Sequence, residues 1–387
     1  MTFNSDFEDM RPYNNSEVAA AVERISEDIY FPEIVKFIFP EKNVNEYAKE
    51  FKKIKTVEQF QSTVMVAALN KIHAETVNEF TYNGIERFAN DLPCMQISNH
   101  RDIVLDAAQL QFILYCNDLN TSEITFGSNL MNPQIVVDIG KINRMFKIVR
   151  GGTARELFAN SLKVSEYMRF TITEKMQSTW IAQRNGRTKD GIDKTEIGVL
   201  KMFAMSSKKN FVENLNDLNI TPIALSYEYE PCDFLKAREI YISRRQTYKK
   251  QPKEDLMSIL YGIKQYKGNV HYTICEPISR SELERCATHS PSERFKQLAT
   301  LIDKRIYGGY KLFKTNYIAH DLRTCKSVFS DKYSPKEKEE FEDYMNTGLS
   351  KIEGDSEELR QIFLGIYANP VDAKKTFVSG QWSVVSC

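Results

Sequence analysis

The segment Ser98-Asn99-His100-Arg101-Asp102-Ile103-Val104-Leu105-Asp106 holds the residues best suited to chemistry. An imidazole whose second ring nitrogen is held by a carboxylate is fixed in one tautomer and made more basic. It can then take a proton from an alcohol. Asp106 and Asp102 both lie close enough in sequence to supply that carboxylate. The same residues also suit a plain helix start, with Asn99 as cap and Asp102 in the first turn complementing the helix dipole. On this segment alone both readings stay open. Ser98 and Cys94 precede the histidine, but neither sits in a GxSxG elbow, the turn that exposes a serine nucleophile. Cys94 reads as a small buried thiol.

Other uses of the segment are excluded by what surrounds it. His-Arg-Asp also opens a protein-kinase catalytic loop, which needs an Asn five residues after its Asp. That place is Ala107, and the chain has no GxGxxG, DFG or APE. A His–Asp metal phosphohydrolase would need more ligands than His73, His271, His289 and His320, which lack ligand-like spacing. No metal site is expected, and His73 reads as an ordinary helical histidine.

The elements that must position these residues follow from periodicity. The first ninety residues read as helices: Ser16 to Asp28 has an apolar stripe at Val18, Ala21, Val22 and Ile25, and Thr56 with Gln59 opens a helix running towards Phe80. From residue 93 short apolar runs alternate with helical stretches. CMQIS (94–98), STWIAQ (178–183), ITPIALSYEY (220–229) and NVHYTIC (269–275) read as strands; 133–140 and 145–149 are further short apolar runs. Arg101 to Leu114 looks helical, as does Gly198 to Met205, and Thr153 with Glu156 opens a helix through Met168. Strand–helix alternation predicts an α/β layered core. The last hundred residues return to helix, with capping boxes at Ser290-Pro291-Ser292-Glu293 and Ser334-Pro335-Lys336-Glu337. The tail from Asn369 reads as loosely held.

Composition bounds the function. In 387 residues, AVILMFWYC residues make up 42% and DEKR residues 27%, enough to bury a core. Lys plus Arg (52) equals Asp plus Glu (52), and this balance argues against a dedicated nucleic-acid binder. The seven cysteines form no CxxC pair, so reduced thiols are expected rather than disulfides or zinc. The longest apolar stretch, around 103–116, is broken by Asp106, Gln109 and Gln111, and MTFNSDFEDM lacks a signal-peptide pattern. The expectation is a cytoplasmic protein, soluble or peripheral at a membrane.

Four segments in order resemble the glycerolipid acyltransferase superfamily, which includes glycerol-3-phosphate, dihydroxyacetone-phosphate and lysophosphatidate acyltransferases. NHRDIVLD (99–106) is similar to its His-x4-Asp block. MFKIVRG (145–151) is similar to the block ending in a phosphate-binding arginine, here Arg150. WIAQRNGRTKDG (180–191) resembles the EGxR block, with Gly186 and Arg187 matching. ITPIALSYEYE (220–230) resembles the strand block opening on a proline, and GNVHYTICEPI (268–278) is a weaker fifth match. The resemblance spans about 90–280. The chain departs twice. Five residues separate His100 from Asp106 where the family has four, so Asp106 is the favoured partner and Asp102 the alternative. Asn185 stands where the family has Glu.

The resemblance implies a mixed central sheet flanked by helices. A helical segment over 1–88 would precede an acyltransferase domain over 89–285, and a helical extension would follow over 286–387. It implies direct acyl transfer, with no cofactor beyond the thioester co-substrate. His100, oriented by Asp106, would act as general base on an acceptor hydroxyl that attacks an acyl-CoA or acyl carrier protein thioester. Arg150 and Arg187, followed by Arg101, would bind the acceptor's phosphate through forked hydrogen bonds, and Gly186 would admit the ligand to the backbone. Arg184, Lys189 and Lys147 stand behind them. The details lean towards a glycerol-phosphate-type acceptor, with lysophosphatidate or another lyso-lipid as the alternative. A lipid- or carrier-binding member without turnover is the other. The basic run 242–255 could meet anionic headgroups or an acidic carrier, or be a solvated loop.

Overall fold

The computed structural model describes residues 5–88, 92–149 and 151–379. Seven strands form one sheet: β1 (Val77–Asn83), β2 (Met95–Ser98), β3 (Glu123–Gly127), β4 (Met145–Ile148), β5 (Thr179–Ala182), β6 (Thr221–Tyr227) and β7 (Gly268–Ile274). Their order is β1-β7-β6-β2-β5-β3-β4. β2 lies at the centre, parallel to both neighbours, with Ile97 opposite Ile181 of β5 and Pro222 of β6. β3 and β4 continue the parallel set, and only the β6–β7 pair is antiparallel.

Side chains of a strand alternate between faces, and here each face is buried under helices. Met95, Ile97, Ile181 and Ala224 face one core, with Tyr167 and Ile172 of the Ala154–Thr173 helix and Leu298 and Ile302 of the Glu293–Gly309 helix. Trp180, Ile223, Leu225 and Tyr272 face the other, against Leu110 and Ile113 of the Leu105–Cys116 helix. This is the α/β sheet with helices on both faces that the alternating pattern predicts.

Several elements differ from the sequence reading. Val77–Asn83 is a strand, not helix; it pairs in parallel with β7, so the N-terminal stretch enters the sheet. VNEFTYN has no strict alternation to read: its burial is irregular, and its register with β7 shifts between Val77 and Glu79. β3 had no sequence signal strong enough to read. The 133–140 run is the start of the Gln134–Ile142 helix. The helix expected from Arg101 begins at Leu105, because the loop before it folds around Asp106. Ser290 does not cap: the helix begins at Glu293, and Ser292 at its start makes no side-chain cap. Of the tail read as loosely held, Asn369 to Ser379 is helical, with Val371 buried, and 380–387 lie outside the described residues. The boxes at Thr153 and Ser334 form as read. Between Val57–Phe60 and Val66–Thr76 the backbone widens into one π-helical segment, Gln61–Met65. No described helix is long and apolar enough to cross a membrane.

Candidate active site

The five mutually parallel strands all point their carboxyl ends to one edge of the sheet, where ligands of open α/β sheets bind. The segment after β2 is pinned there. Asn99 donates from Nδ2 to the Leu225 carbonyl (3.0 Å) and accepts from the Leu225 N–H (2.9 Å), extending the β2–β6 pairing by one side chain. The His100 carbonyl accepts from the Thr188 N–H (2.8 Å), which ties it to the loop after β5.

His100 Nδ1 lies 2.8 Å from Asp106 Oδ2. That oxygen also accepts from the backbone N–H groups of Arg101 (2.6 Å) and Asp102 (2.9 Å), and Oδ1 accepts from the Tyr227 hydroxyl (2.9 Å). The carboxylate is wholly buried. Four donors satisfy it, so Nδ1 carries the proton and Nε2 keeps its lone pair. Among the described residues Nε2 has no hydrogen-bond partner, and the ring stands edge-on to Trp180 at 6.0 Å. Asp102 serves the helix instead. Its Oδ1 accepts from the N–H groups of Val104 (2.9 Å) and Leu105 (2.8 Å), capping the first turn. Its Oδ2 is buried without a partner, close against Gly262, where an added Cβ would lie 2.3 Å away. The two aspartates thus divide the segment: Asp106 pairs with His100, and Asp102 caps the helix start in place of Asn99, which bonds Leu225 instead.

A second layer holds the dyad. The Tyr227 hydroxyl also approaches Gln109 Oε1 (3.1 Å). Tyr272 reaches the same oxygen (3.0 Å) and the Asp106 carbonyl (3.0 Å). Gln109 Nε2 lies 3.3 Å from His73 Nε2. Burial pulls His73 down to about 4, so it is neutral at pH 7 and accepts from Gln109.

The predicted cations separate. Arg101 is buried, with Nη2 2.5 Å from Asp193 Oδ2 and Nη1 3.0 Å from Glu230 Oε2. Lys236 completes a charge-balanced cluster, 2.5 Å from Glu230 Oε1 and 2.8 Å from the Arg101 carbonyl. Arg101, expected to meet substrate, here turns its charge to protein carboxylates and braces the loop after His100. Gly186 (φ +77°) and Arg187 sit in the loop after β5, beside the histidine loop; a Cβ at 186 would touch nothing, so its glycine serves the left-handed backbone. Arg187 is half-buried, with Nη1 lacking a partner, and Arg184 Nε likewise. Lys189 is paired with Glu239, and the exposed Asn185 offers its backbone N–H to Glu196 (3.2 Å). Lys147 lies 3.9 Å from Asp9. Arg150 lies outside the described residues.

Neither early nucleophile candidate faces the ring. Ser98 Oγ donates to the Asn99 carbonyl (2.8 Å) and accepts from Trp180 Nε1 (3.2 Å); Cys94 is buried, and burial pushes its thiol up. In the basic run, Arg244 and Arg245 pair with Glu358 and Lys250 with Asp255. Sequence reasoning missed Tyr227, Gln109, Tyr272, Asp193, Glu230 and Lys236. Tyr227 and Tyr272 carried a signal, standing inside matched strand blocks, where a buried phenol needs a polar partner.

No family model matches the chain, and no curated protein matches it. Among solved structures it is similar to the crystal structure of the 1-acyl-sn-glycerophosphate (LPA) acyltransferase, PlsC, from Thermotoga maritima, at 12% identity and a TM-score of 0.37, over 74% of this chain and 92% of that one.

Proposed function

We propose that the chain is an O-acyltransferase that moves a fatty acyl group from a thioester to a glycerol-phosphate-type hydroxyl. One observation carries the reading: the His100–Asp106 pair, with Nδ1 tied to a buried carboxylate and Nε2 unpartnered, at the edge where the parallel strands end. In the step we envisage, His100 Nε2 takes the acceptor's hydroxyl proton as the oxygen attacks the thioester carbonyl. The tetrahedral centre collapses, the carbon–sulfur bond breaks, and the departing thiolate takes the proton from His100. No acyl-enzyme forms. General-base help contributes roughly 10²–10⁴ in rate, and positioning supplies much of the rest.

Arg187, half-buried with a free nitrogen, would hold the acceptor's phosphate, with Arg184 beside it and Arg150 supplied from the block after β4. The donor would be acyl-CoA or acyl carrier protein, and the protein would work from the cytoplasm at a membrane surface. Supporting that surface, the Glu254–Lys264 helix exposes Met257 (62%), Leu260 (45%) and Tyr261 (39%), following the exposed Lys249 and Lys253.

The test offers purified protein glycerol-3-phosphate and, separately, lysophosphatidate, each with acyl-CoA and with acyl carrier protein thioester. Product from glycerol-3-phosphate is expected. Product only from lysophosphatidate would move the acceptor to the other branch. No product from either, with folded protein, would overturn the reading in favour of a binder without turnover.

A further inference from the structure

Resting on that reading, we propose that the C-terminal helical extension is a working part of the site. Through Asn369 and Asp193 it latches the loop after β5, and the latch aims Arg187 at the acceptor's phosphate. That loop runs from Gln183 to Glu196 without helix or strand. A loop of this length keeps one shape where other elements hold it. Its inner side is held by the catalytic strand and the turn after it: the Gln183 N–H donates to the Ser98 carbonyl and the Thr188 N–H to the His100 carbonyl, each at 2.8 Å.

Its outer side is held by Arg101 and the C-terminal extension. Asp193 is the hub. Its Oδ1 accepts from the Thr188 hydroxyl. Its Oδ2 accepts from Arg101 Nη2 and from the hydroxyl of Tyr310, which follows the Glu293–Gly309 helix. Asp303 of that helix accepts from the Thr195 N–H (2.8 Å) and hydroxyl (2.6 Å). Asn369 of the Ser356–Ser379 helix donates from Nδ2 to the Asp190 carbonyl (2.7 Å), and its Oδ1 accepts from Arg323 of the Lys314–Thr324 helix. Pro370, inside the Ser356–Ser379 helix, has no N–H, so the Ile366 carbonyl lacks its usual donor four residues on. The loop docks at that carbonyl. Gly191 has φ +78°, and an added Cβ would lie 2.2 Å from the Ile366 oxygen and 3.1 Å from Pro370 Cδ. A residue without a side chain lets loop and helix meet this closely. Arg187 stands between these anchors. Its Nη1 has no acceptor to fix it, so its aim follows the backbone, which the contacts at Thr188 and Asp190 hold. Asp193 and Asn369 are thus positioning residues, acting through Arg187.

The experiment replaces Asn369 with Asp in the full chain. The carboxylate keeps the oxygen that Arg323 holds, so the extension stays docked, but it has no donor for the Asp190 carbonyl. Amide hydrogen exchange at 188–193 should speed by about 2–10-fold, the worth of one neutral hydrogen bond, while β2 and β6 exchange as before. In the His100→Ala background, calorimetry should show glycerol-3-phosphate bound about 2–10-fold more weakly. With His100 present, KM for that acceptor should rise by the same factor and kcat stay within about twofold. With Arg187→Ala also in place, Asn369→Asp should weaken binding no further. Gly191→Ala, whose Cβ pushes loop and helix apart, should act in the same direction and more strongly. Unchanged exchange, equal affinity for glycerol-3-phosphate, or a loss that adds in full to that of Arg187→Ala would overturn the latch. Faster exchange with glycerol-3-phosphate bound by neither protein would uphold the latch on the loop and overturn the acceptor reading.

Discussion

Replacing Asp106 with Asn should cost activity through charge alone, and the reason lies in the hydrogen bonds around it. The position of Oδ2 faces three donors, the N–H groups of Arg101 and Asp102 and His100 Nδ1. An amide NH2 there would oppose all three, so the Asn oxygen takes that place and the NH2 turns to Tyr227. The Tyr227 hydroxyl can then accept and redirect its own proton to Gln109 Oε1, 3.1 Å away. The tautomer of His100 is preserved. What is lost is the negative charge that stabilises the imidazolium in the transition state. For charge centres about 4 Å apart and an effective dielectric near 20, that is about 4 kcal/mol, or ~10³ in rate. The general-base contribution as a whole bounds the loss at about 10⁴. Thiol release from an acyl-CoA reads the loss: kcat/KM should fall by about 10²–10³. An unchanged rate would refute the assignment of Asp106.

Three further outcomes follow from the same geometry. Asp102→Asn keeps the Oδ1 cap on Val104 and Leu105 and removes charge only from an unpartnered oxygen, so kcat/KM should stay close to wild type; a loss as large as that of Asp106→Asn would make Asp102 the working carboxylate. Arg101→Met leaves Asp193 and Glu230 facing a buried gap with only Lys236 to compensate. Unfolding in urea should show about 3–5 kcal/mol lost, and a neutral effect would contradict the buried cluster. Burial raises the Asp233 carboxyl from 3.8 to about 6. Between those values the folded chain holds a proton that the unfolded chain has released, so this group's stabilisation falls as pH rises from about 4 to 6. Asp233→Asn should remove that decline, at most about 3 kcal/mol, from unfolding curves taken across the window; an unaltered pH slope would contradict the shift.

How much of this was legible in the sequence depended on the range of the interaction. β2, β5, β6 and β7 announced themselves through short β-branched runs, and the boxes at Thr153 and Ser334 through a three-residue spacing. β1 was hidden because its partner β7 lies about 190 residues away and its own half-exposed pattern follows a helix without a break. His100 and a carboxylate partner were readable. The choice between Asp102 and Asp106 was settled only by how five residues curl around one oxygen. Arg101 looked like a free phosphate ligand because Asp193 and Glu230, which bury its charge, stand 92 and 129 residues further on. Nothing local marks Gln109 as a support of the dyad; three-dimensional packing alone brings it under Asp106.

The central claim is that His100 drives direct transfer to an acceptor hydroxyl. Its most direct test is acceptor-dependent thiol release from an acyl-CoA by wild type and His100→Ala, both shown to be folded. Release should require the glycerol-phosphate acceptor and fall by about 10²–10⁴ in His100→Ala. Release that survives the substitution at the wild-type rate, or that proceeds without an acceptor through a stable acyl-enzyme, would contradict it.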